Sequence, residues 1–340
     1  MKYYFRTNLG PNSGLGHFNR IQVFVHLLKK KNCTIVIDKK EKEFLNKFKK
    51  LDIQEIYKDS EFNDEGDDAI KFKKILKNNK QSFVIVDDYR LGYHWEKYIS
   101  NYCRKIISID DYINRKHYSD IYINTKPNLI NPGKRVKNIL KRNNKKNCTF
   151  LLGPKYCLIN PNLKKQKRSV KNFSISFYNG GSGSLLIYEK IIIELFKKKV
   201  RNFKINLIFG PLNRDQKIMI NKFKDNKYVN IILNKNNLSG VLSNTDLLIA
   251  SAGVIIFESA FFKIPTILIN MHQNQKVEIE SLEKIGHYLF LNKKDLKKTK
   301  KFSNLIKIFL TNYERINRLF KKPEIKIKRN YKLISKSLKI

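Results

Sequence analysis

Short apolar runs recur along the chain, separated by segments in which apolar residues have helical spacing. A strand, a crossover helix and a second strand in one sheet form a parallel pair, so this alternation predicts α/β folding. The chain has 340 residues, which favours two domains. The interpreted strands are Tyr3–Phe5, Cys33–Ile37, Phe83–Val86, Lys105–Ile109, Phe173–Phe177, Ile205–Phe209, Val229–Leu233, Leu247–Ala250 and Thr266–Ile269.

Two polar stretches suggest where the domains divide. Residues 128–147 are rich in Lys and Asn and are interpreted as a long connection, and residues 162–169 are basic. We therefore expect an N-terminal Rossmann-like domain over 1–160, a C-terminal one over 170–320, and a basic tail over 321–340 without assigned structure. Helices are expected around Glu41–Lys50 and near Phe302–Phe320.

The stretch from Gly14 to Arg20 joins the first strand to the first helical segment. Glycines permit a tight turn and a close approach of a ligand, and a helix start favours a bound anion such as a pyrophosphate. The partial positive charge at a helix start disfavours an imidazolium, so a neutral His17 could accept a proton as a general base. Arg20 lies on the same helix face. The alternative is that Gly14 and Gly16 only shape a turn and His17 is an ordinary polar helix start.

Two glycine-containing loops follow strands in the second half. Gly180-Gly181-Ser182 offers N–H groups and a hydroxyl to a phosphate, or is a plain turn between a strand and a helix. Ser251-Ala252-Gly253 precedes a helix that carries Glu258, whose carboxylate could accept two hydroxyl hydrogen bonds from a ribose. The two halves lack a G-x-G-x-x-G motif with a distal acid, which favours a nucleotide-sugar fold over a dinucleotide fold.

Pairs of aspartates follow two strands of the first half. Asp87-Asp88 precedes Tyr89, and Asp110-Asp111 precedes the next tyrosine, Tyr112. Ligands of parallel sheets bind beyond the carboxyl ends of the strands, so these carboxylates could line a site together with His17. Aspartates also form turns at such positions, and both interpretations remain open.

The composition of the chain limits which classes of function it can have. The formal net charge is +41, which is compatible with nucleic-acid binding, but the lysines are spread along nearly the whole chain rather than gathered in one tail. We therefore expect no nucleic-acid partner. The four cysteines form no C-x-x-C pair and the six histidines have no ligand spacing, so neither a metal nor a cofactor is expected. No long apolar run or signal-peptide core is found, which favours a cytoplasmic protein without an integral membrane segment.

Several motifs occur together in a fixed order over residues 3–290, and as a set they resemble one family. They are Arg6 with Gly14-x-Gly16-His17-x-x-Arg20, Asp87-Asp88-Tyr89, Ile109-Asp110-Asp111, Leu152-Gly153-Pro154-x-Tyr156, Gly180-Gly181-Ser182, and Ser251-Ala252-Gly253 with Glu258, Pro265 and Asn274-Gln275. The set resembles the UDP-2,4-diacetamido-2,4,6-trideoxy-β-L-altropyranose hydrolases of pseudaminic (nonulosonic) acid biosynthesis in bacteria. These are similar in turn to the GlcNAc transferase that acts on peptidoglycan lipid intermediates.

The resemblance implies a GT-B architecture, in which two Rossmann-like parallel-sheet domains face a cleft. It also implies metal-independent, inverting hydrolysis of the UDP-sugar to UDP and the free sugar. By the same resemblance His17 is the catalytic base, and Tyr89 and Asn274 lie around the sugar. Glu258 holds the ribose hydroxyls. The further substrate-binding residues expected from the matched motifs are Gly16, Arg20, Gly180, Gly181, Ser182, Ser251, Gly253 and Gln275.

Two other functions remain open at this point. A glycosyltransferase of the same fold would use a sugar or lipid hydroxyl in place of water. A basic binder of nucleic acid or another polyanion would show a steep salt dependence and no affinity for UDP. The sequence indicates neither the particular sugar nor an oligomeric state.

Overall fold

The computed structural model describes residues 1–8, 15–28, 32–38, 51–57, 61–77, 79–169, 172–197, 203–233, 237–271, 279–282, 284–319 and 325–338. The chain divides into two compact units, one formed by Met1–Pro161 with Lys326–Ile340 and the other by Asn162–Ile325. The helix expected around residues 41–50, Gly14, Asn274 and Gln275 lie outside the described residues.

The first unit is built on a seven-stranded sheet in the order β3-β2-β1-β4-β5-β6-β7, and every neighbouring pair is parallel. Its elements are β1 (Tyr3–Thr7), α1 (Gly16–Leu27), β2 (Cys33–Ile37), β3 (Asp52–Glu55), α2 (Glu65–Leu76), β4 (Phe83–Asp87), α3 (Tyr93–Ile99), β5 (Lys105–Ile109), β6 (Ile121–Asn124), α4 (Lys134–Asn143) and β7 (Thr149–Leu152). Short 3₁₀ turns cover Pro127–Leu129 and Pro154–Tyr156.

A buried ion network ties β1 to α2 in this unit. The Arg6 side chain is fully buried, and its Nε and Nη2 atoms donate to Asp68 at 2.5–3.2 Å. The same carboxylate accepts from Trp95 Nε1 at 2.8 Å and from the Tyr57 hydroxyl at 2.9 Å. Since an unpaired buried charge is costly, these contacts fix the helix that covers the sheet against the strand.

The second unit is built on a six-stranded parallel sheet in the order β10-β9-β8-β11-β12-β13. Its elements are β8 (Phe173–Tyr178), α5 (Glu189–Lys197), β9 (Phe203–Phe209), α6 (Gln216–Phe223), β10 (Val229–Leu233), α7 (Ser239–Ser243), β11 (Leu247–Ser251), α8 (Ile255–Phe262), β12 (Thr266–Asn270), α9 (Ile279–Leu282), β13 (Tyr288–Asn292) and α10 (Thr299–Leu319). Short 3₁₀ turns cover Leu186–Tyr188 and Lys293–Lys297. The helix expected near residues 302–320 is α10, and the five strands expected in this half are present.

Two segments differ from the sequence interpretation. The stretch 128–147, expected to be a long connection, contains α4, because Val136, Ile139 and Leu140 share one helix face and Leu140 is buried. The basic tail contains α11 (Ile327–Leu338), in which Ile327, Ile334 and Leu338 are buried. This last helix belongs to the first unit, where it contacts the turn at residues 154–156.

Among the described helices, none is long and apolar enough to cross a membrane.

Candidate active site

Each sheet has one point at which the strand order reverses. In the first unit this point lies between β1 and β4, and in the second between β8 and β11. Ligands of doubly wound sheets bind outside the carboxyl ends of the strands at such a point. The residues singled out by sequence follow these four strands: His17 after β1, Tyr89 after β4, Gly180 after β8 and Gly253 after β11.

His17 forms a short hydrogen bond with the carboxylate at the end of β4. It is the second residue of α1, it is 8% exposed, and its Nδ1 lies 2.6 Å from Oδ1 of the fully buried Asp87. An ionised carboxylate only accepts hydrogen bonds, so the tautomer that satisfies this shorter contact has the proton on Nδ1 and the lone pair on Nε2, while Nη2 of Arg20 lies 2.9 Å from the same Nδ1. Asp87 also lies where it can stabilise the imidazolium formed when Nε2 takes up a proton. The pair therefore has the geometry of a general base and its orienting carboxylate.

Arg20 joins two aspartates from neighbouring strand ends. Its Nε and Nη2 donate to Asp87 at 2.8 and 2.7 Å, and its Nη1 donates to Asp111 at 2.9 and 3.1 Å. Burial alone would lower the pKa of Arg20, but Asp111 and Asp87 hold it well above its usual value. Burial would likewise raise the pKa of Asp111, yet the nearby Arg20 keeps it below the usual range. Both partners therefore stay charged, and the fork of Arg20 fixes the carboxylate that orients His17.

Tyr89 is enclosed by this cluster. Its hydroxyl donates to Asp111, and its ring meets the His17 ring edge to face at a centroid separation of 4.6 Å. The Arg115 guanidinium lies 6.0 Å from the centroid of the Tyr89 ring. Burial, together with the Asp111 charge, raises the pKa of Tyr89 well above its usual value, so the phenol stays protonated. The structure thus places the Tyr89 ring beside His17, with the Tyr89 hydroxyl directed at the Asp111 carboxylate.

Gly16, the residue before His17, is exposed, and a Cβ atom added there would meet no atom of the described residues within 4 Å. The described part of the chain therefore leaves room for a ligand at the start of α1, and the close approach expected from the sequence stays a prediction.

A second buried histidine fixes the turn that carries Asp111. His117 is 2% exposed, its Nδ1 lies 2.7 Å from Glu96 Oε1, and its Nε2 lies 2.9 Å from Asp110 Oδ2. Burial alone would lower the pKa of His117, but Glu96 and Asp110 raise it to about 9. Both ring nitrogens are then donors, and Arg115 also pairs with Asp110. This cluster supports the end of β5 from the side remote from Arg20.

The glycine loop after β8 is held in a defined shape. Gly180 has φ of +74°, and a Cβ on Gly210 would lie 2.4 Å from the Gly181 carbonyl oxygen. The Asn179 side chain donates to the Ser184 carbonyl at 2.6 Å and accepts from the Tyr188 hydroxyl at 2.7 Å. The close approach at Gly210 and the bonds of Asn179 keep the turn rigid, so it can present N–H groups in a fixed arrangement.

Glu258 lies near the start of α8, which follows β11. It is partly buried among apolar neighbours and accepts no hydrogen bond from the described residues, and burial raises its pKa to about 7. Ser251 ends β11 and is buried, whereas Gly253 is exposed and a Cβ there would meet no atom of the described part of the chain within 4 Å. An unpaired carboxylate withdrawn from water is costly, so it is well placed to receive donors from a ligand.

The structure brings the sequence-selected residues together in two groups. His17, Arg20 and Tyr89 form one cluster in the first unit, and Gly180–Ser182 and Ser251–Gly253 follow adjacent strands in the second. Asp87 and Asp111 complete the first cluster. The sequence analysis kept two interpretations of these aspartates open, as site residues or as turn formers. Across the described residues, no group of three metal-ligating side chains is found.

No protein-family model matches the sequence. The chain is 26% identical over 291 residues to the uncharacterized protein MJ1062 of Methanocaldococcus jannaschii, a match that covers 81% of this chain and 57% of that protein. The chain therefore spans little more than half the length of that relative.

Solved structures share the fold along the whole chain. MurG of Acinetobacter baumannii is 12% identical with a TM-score of 0.61, and the match covers 99% of this chain and 100% of that one. HepE of Anabaena, in complex with UDP and glucose, is 10% identical with a TM-score of 0.61 and coverage of 100% and 99%. UDP-GlcNAc 2-epimerase of Neisseria meningitidis, bound to UDP-GlcNAc, is 13% identical with a TM-score of 0.59 and coverage of 99% for both chains. At these identities the likeness shows the fold alone, and it confirms the expected GT-B fold with its two parallel-sheet α/β domains.

Proposed function

We propose that this protein hydrolyses a UDP-linked sugar to UDP and the free sugar, with His17 as the general base. The observation that carries the proposal is the His17–Asp87 pair at the first switch point, next to the exposed Gly16. The resemblance noted in the sequence names the substrate class, a UDP-linked diacetamido-trideoxy sugar. The HepE and epimerase structures, solved with UDP and glucose and with UDP-GlcNAc, support a UDP-sugar ligand for this fold.

In this proposal the second unit binds the nucleotide. The Glu258 carboxylate accepts hydrogen bonds from the two ribose hydroxyls, which removes the cost of leaving it unpaired. The loop Gly180–Ser182 offers N–H groups and a hydroxyl to the diphosphate, and the excess of cations on the chain attracts the anionic substrate. Asn274 and Gln275 are further contacts expected from the resemblance.

The first unit then carries the chemical step. A water molecule attacks the anomeric carbon while Nε2 of His17 takes one of its protons, and the bond from that carbon to the diphosphate oxygen breaks. The electron pair of the broken bond leaves with UDP. Asp87 stabilises the imidazolium, and Arg20 holds the Asp87 carboxylate in place through two hydrogen bonds. Attack opposite the leaving group inverts the anomeric centre.

The second candidate is a glycosyltransferase, in which an acceptor hydroxyl replaces water and His17 takes the proton from that hydroxyl. The lipopolysaccharide outer core galactosyltransferase WaaB supports it, since it is similar to this chain over its full length with a TM-score of 0.51 at 12% identity. The same base and the same nucleotide contacts serve both reactions. Only the group that receives the sugar differs.

The test is to follow UDP release from a panel of UDP-sugars, with and without hydroxyl acceptors, for the wild type and His17→Asn. Since a general base contributes ~10²–10⁴-fold, we expect kcat to fall by about that factor while UDP still binds. His26→Asn is the matched control, because His26 is the exposed histidine in the last turn of the same helix.

Three outcomes are decisive. Release without an acceptor supports hydrolysis, and release that requires one supports the transferase. A folded His17→Asn variant that turns over at the wild-type rate refutes the role of the base.

A further inference from the structure

Tyr112 is the third ring in a row along the carboxyl edge of the first sheet. The His17 and Tyr89 rings are 4.6 Å apart between centroids, and the Tyr89 and Tyr112 rings are 5.1 Å apart. The Tyr112 ring therefore lies no further from the His17 ring than the sum of these two separations. That places it within the reach of a sugar whose anomeric carbon is next to His17.

The two tyrosines differ in what their hydroxyls do. The Tyr89 hydroxyl donates to Asp111, whereas the Tyr112 hydroxyl has no hydrogen-bond partner among the described residues. The Tyr112 backbone is nonetheless fixed, because its N–H donates to Asp110 at 2.7 Å and its carbonyl accepts from the Tyr122 hydroxyl at 2.9 Å. A partly exposed phenol on a fixed backbone is thus available to a ligand.

Lys126 brings a cation to the same place from the end of β6. Its Nζ lies 5.6 Å from the centroid of the Tyr112 ring, and its side chain is partly buried. It forms no salt bridge with the described residues, although its charge acts on Asp111. An ammonium that lies over a ring and forms no salt bridge with the described residues has N–H donors that a ligand oxygen can accept.

We propose that Tyr112 and Lys126 bind the sugar of the UDP-sugar, and that both donate to a carbonyl oxygen of an acetamido substituent. An amide carbonyl oxygen can accept from two donors and carries no proton. A hydroxyl group can also accept, but its own O–H then needs a separate acceptor. The ring of Tyr112 covers the apolar C–H edge of the same sugar. This inference rests on the proposed function and adds the residues that select the sugar.

The test separates sugar binding from nucleotide binding. Calorimetry in the His17→Asn background, where turnover is slow, measures the affinity for UDP, for UDP-GlcNAc and for UDP-glucose. We expect Tyr112→Phe to weaken the binding of UDP-GlcNAc about 2- to 10-fold and Lys126→Met at least as much. UDP itself should bind as before, and the preference for the acetamido sugar over UDP-glucose should shrink.

Matched controls lie at the opposite edge of the same sheet. Tyr118→Phe and Lys2→Met alter residues of two other cation–ring pairs, Lys145 with Tyr118 and Lys2 with Tyr4. The two altered residues, Tyr118 and Lys2, precede strands rather than follow them. These variants should bind all three ligands as the parent does. Their stability also shows how much the loss of such a pair costs the fold.

Four results would overturn the inference. One is unchanged binding of UDP-GlcNAc in both variants, and a second is an equal loss for UDP, which would indicate a general effect of charge or folding. A third is an effect seen only on an added hydroxyl acceptor, with donor binding intact, since the pair would then serve the acceptor. The fourth, no binding of any UDP-sugar by the parent protein, would remove the proposed function as well, whereas the first three leave that function standing.

Discussion

The buried histidine His117 makes a prediction that does not depend on any assigned activity. Its two ring nitrogens lie between the carboxylates of Glu96 and Asp110, and its side chain is 3% exposed. These charges raise its pKa from the ordinary 6.5 to about 9 in the folded protein. The proton is therefore held more tightly in the folded state than in the unfolded state, and the folded state gains stability from it.

The size and sign of the effect follow from these two pKa values. Each unit of difference is worth about 1.4 kcal/mol, so His117 contributes about 3 kcal/mol to the free energy of unfolding. Because the folded pKa is the raised one, the contribution is complete below pH 6.5. It falls as the pH rises from 6.5 through about 9, and it is absent above that.

The single tryptophan gives a direct assay. Trp95 is fully buried in the first unit, so its fluorescence in a urea titration reports the unfolding of the unit that contains His117. We expect the stability difference between the wild type and His117→Gln to be about 3 kcal/mol larger at pH 6 than at pH 10. Titrating groups remote from His117 act on both proteins and cancel in this difference. His94→Gln, at an exposed histidine of α3, should show no such change. A difference that stays constant from pH 6 to pH 10 would mean that the pKa of His117 is not raised in the folded protein and that this reasoning is wrong.

Two further predictions concern the second unit. Because burial raises the pKa of Glu258 to about 7, its carboxylate is only partly ionised at neutral pH, and a ribose diol should bind more tightly as the pH rises from 6 to 8. In calorimetry with a UDP-sugar, Glu258→Gln should remove this pH dependence and weaken the free energy of binding by about 1–3 kcal/mol at pH 8. A variant that retains both the pH dependence and the affinity would exclude the ribose contact. Gly210→Ala should lower the stability of this unit by about 1–3 kcal/mol, because the new Cβ would collide with the Gly181 backbone, whereas Gly253→Ala has open space and should reduce only ligand affinity. Thermal unfolding and UDP titration of the two variants distinguish these effects, and equal stability losses would contradict the assignment.

The strands that are buried on both faces were predictable, because their sequences are continuous apolar runs. Phe83–Asp87 is buried at every position, and its first four residues are all apolar. The helices α4 and α11 were missed because lysines and asparagines surround a narrow apolar stripe, so the charge of the chain masks the periodicity. The alternation of strands and helices predicted the two parallel-sheet domains, and the GT-B architecture was expected from the resemblance of the ordered motifs to a known family.

The candidate site was predictable only in part. His17 and Arg20 were found because they lie close together in a glycine-to-helix turn. Their partners are 67 to 91 residues away, and no local pattern shows that Asp87 and Asp111 bind one guanidinium. The sugar contact of Tyr89 was expected from the family resemblance and stays a prediction. The sequence did not show that the Tyr89 hydroxyl donates to Asp111, because that pairing depends on which strands are neighbours in the sheet.

The helix α11 has a consequence for how the chain folds during synthesis. The first unit begins at residue 1 but is completed by residues 326–340, so the whole second unit is made before the first receives its last helix. A chain shortened at residue 161 should expose the apolar surface that Ile327, Ile334 and Leu338 cover. While the ribosome is still translating the second unit, the first is an open structure that a chaperone or protease can recognise.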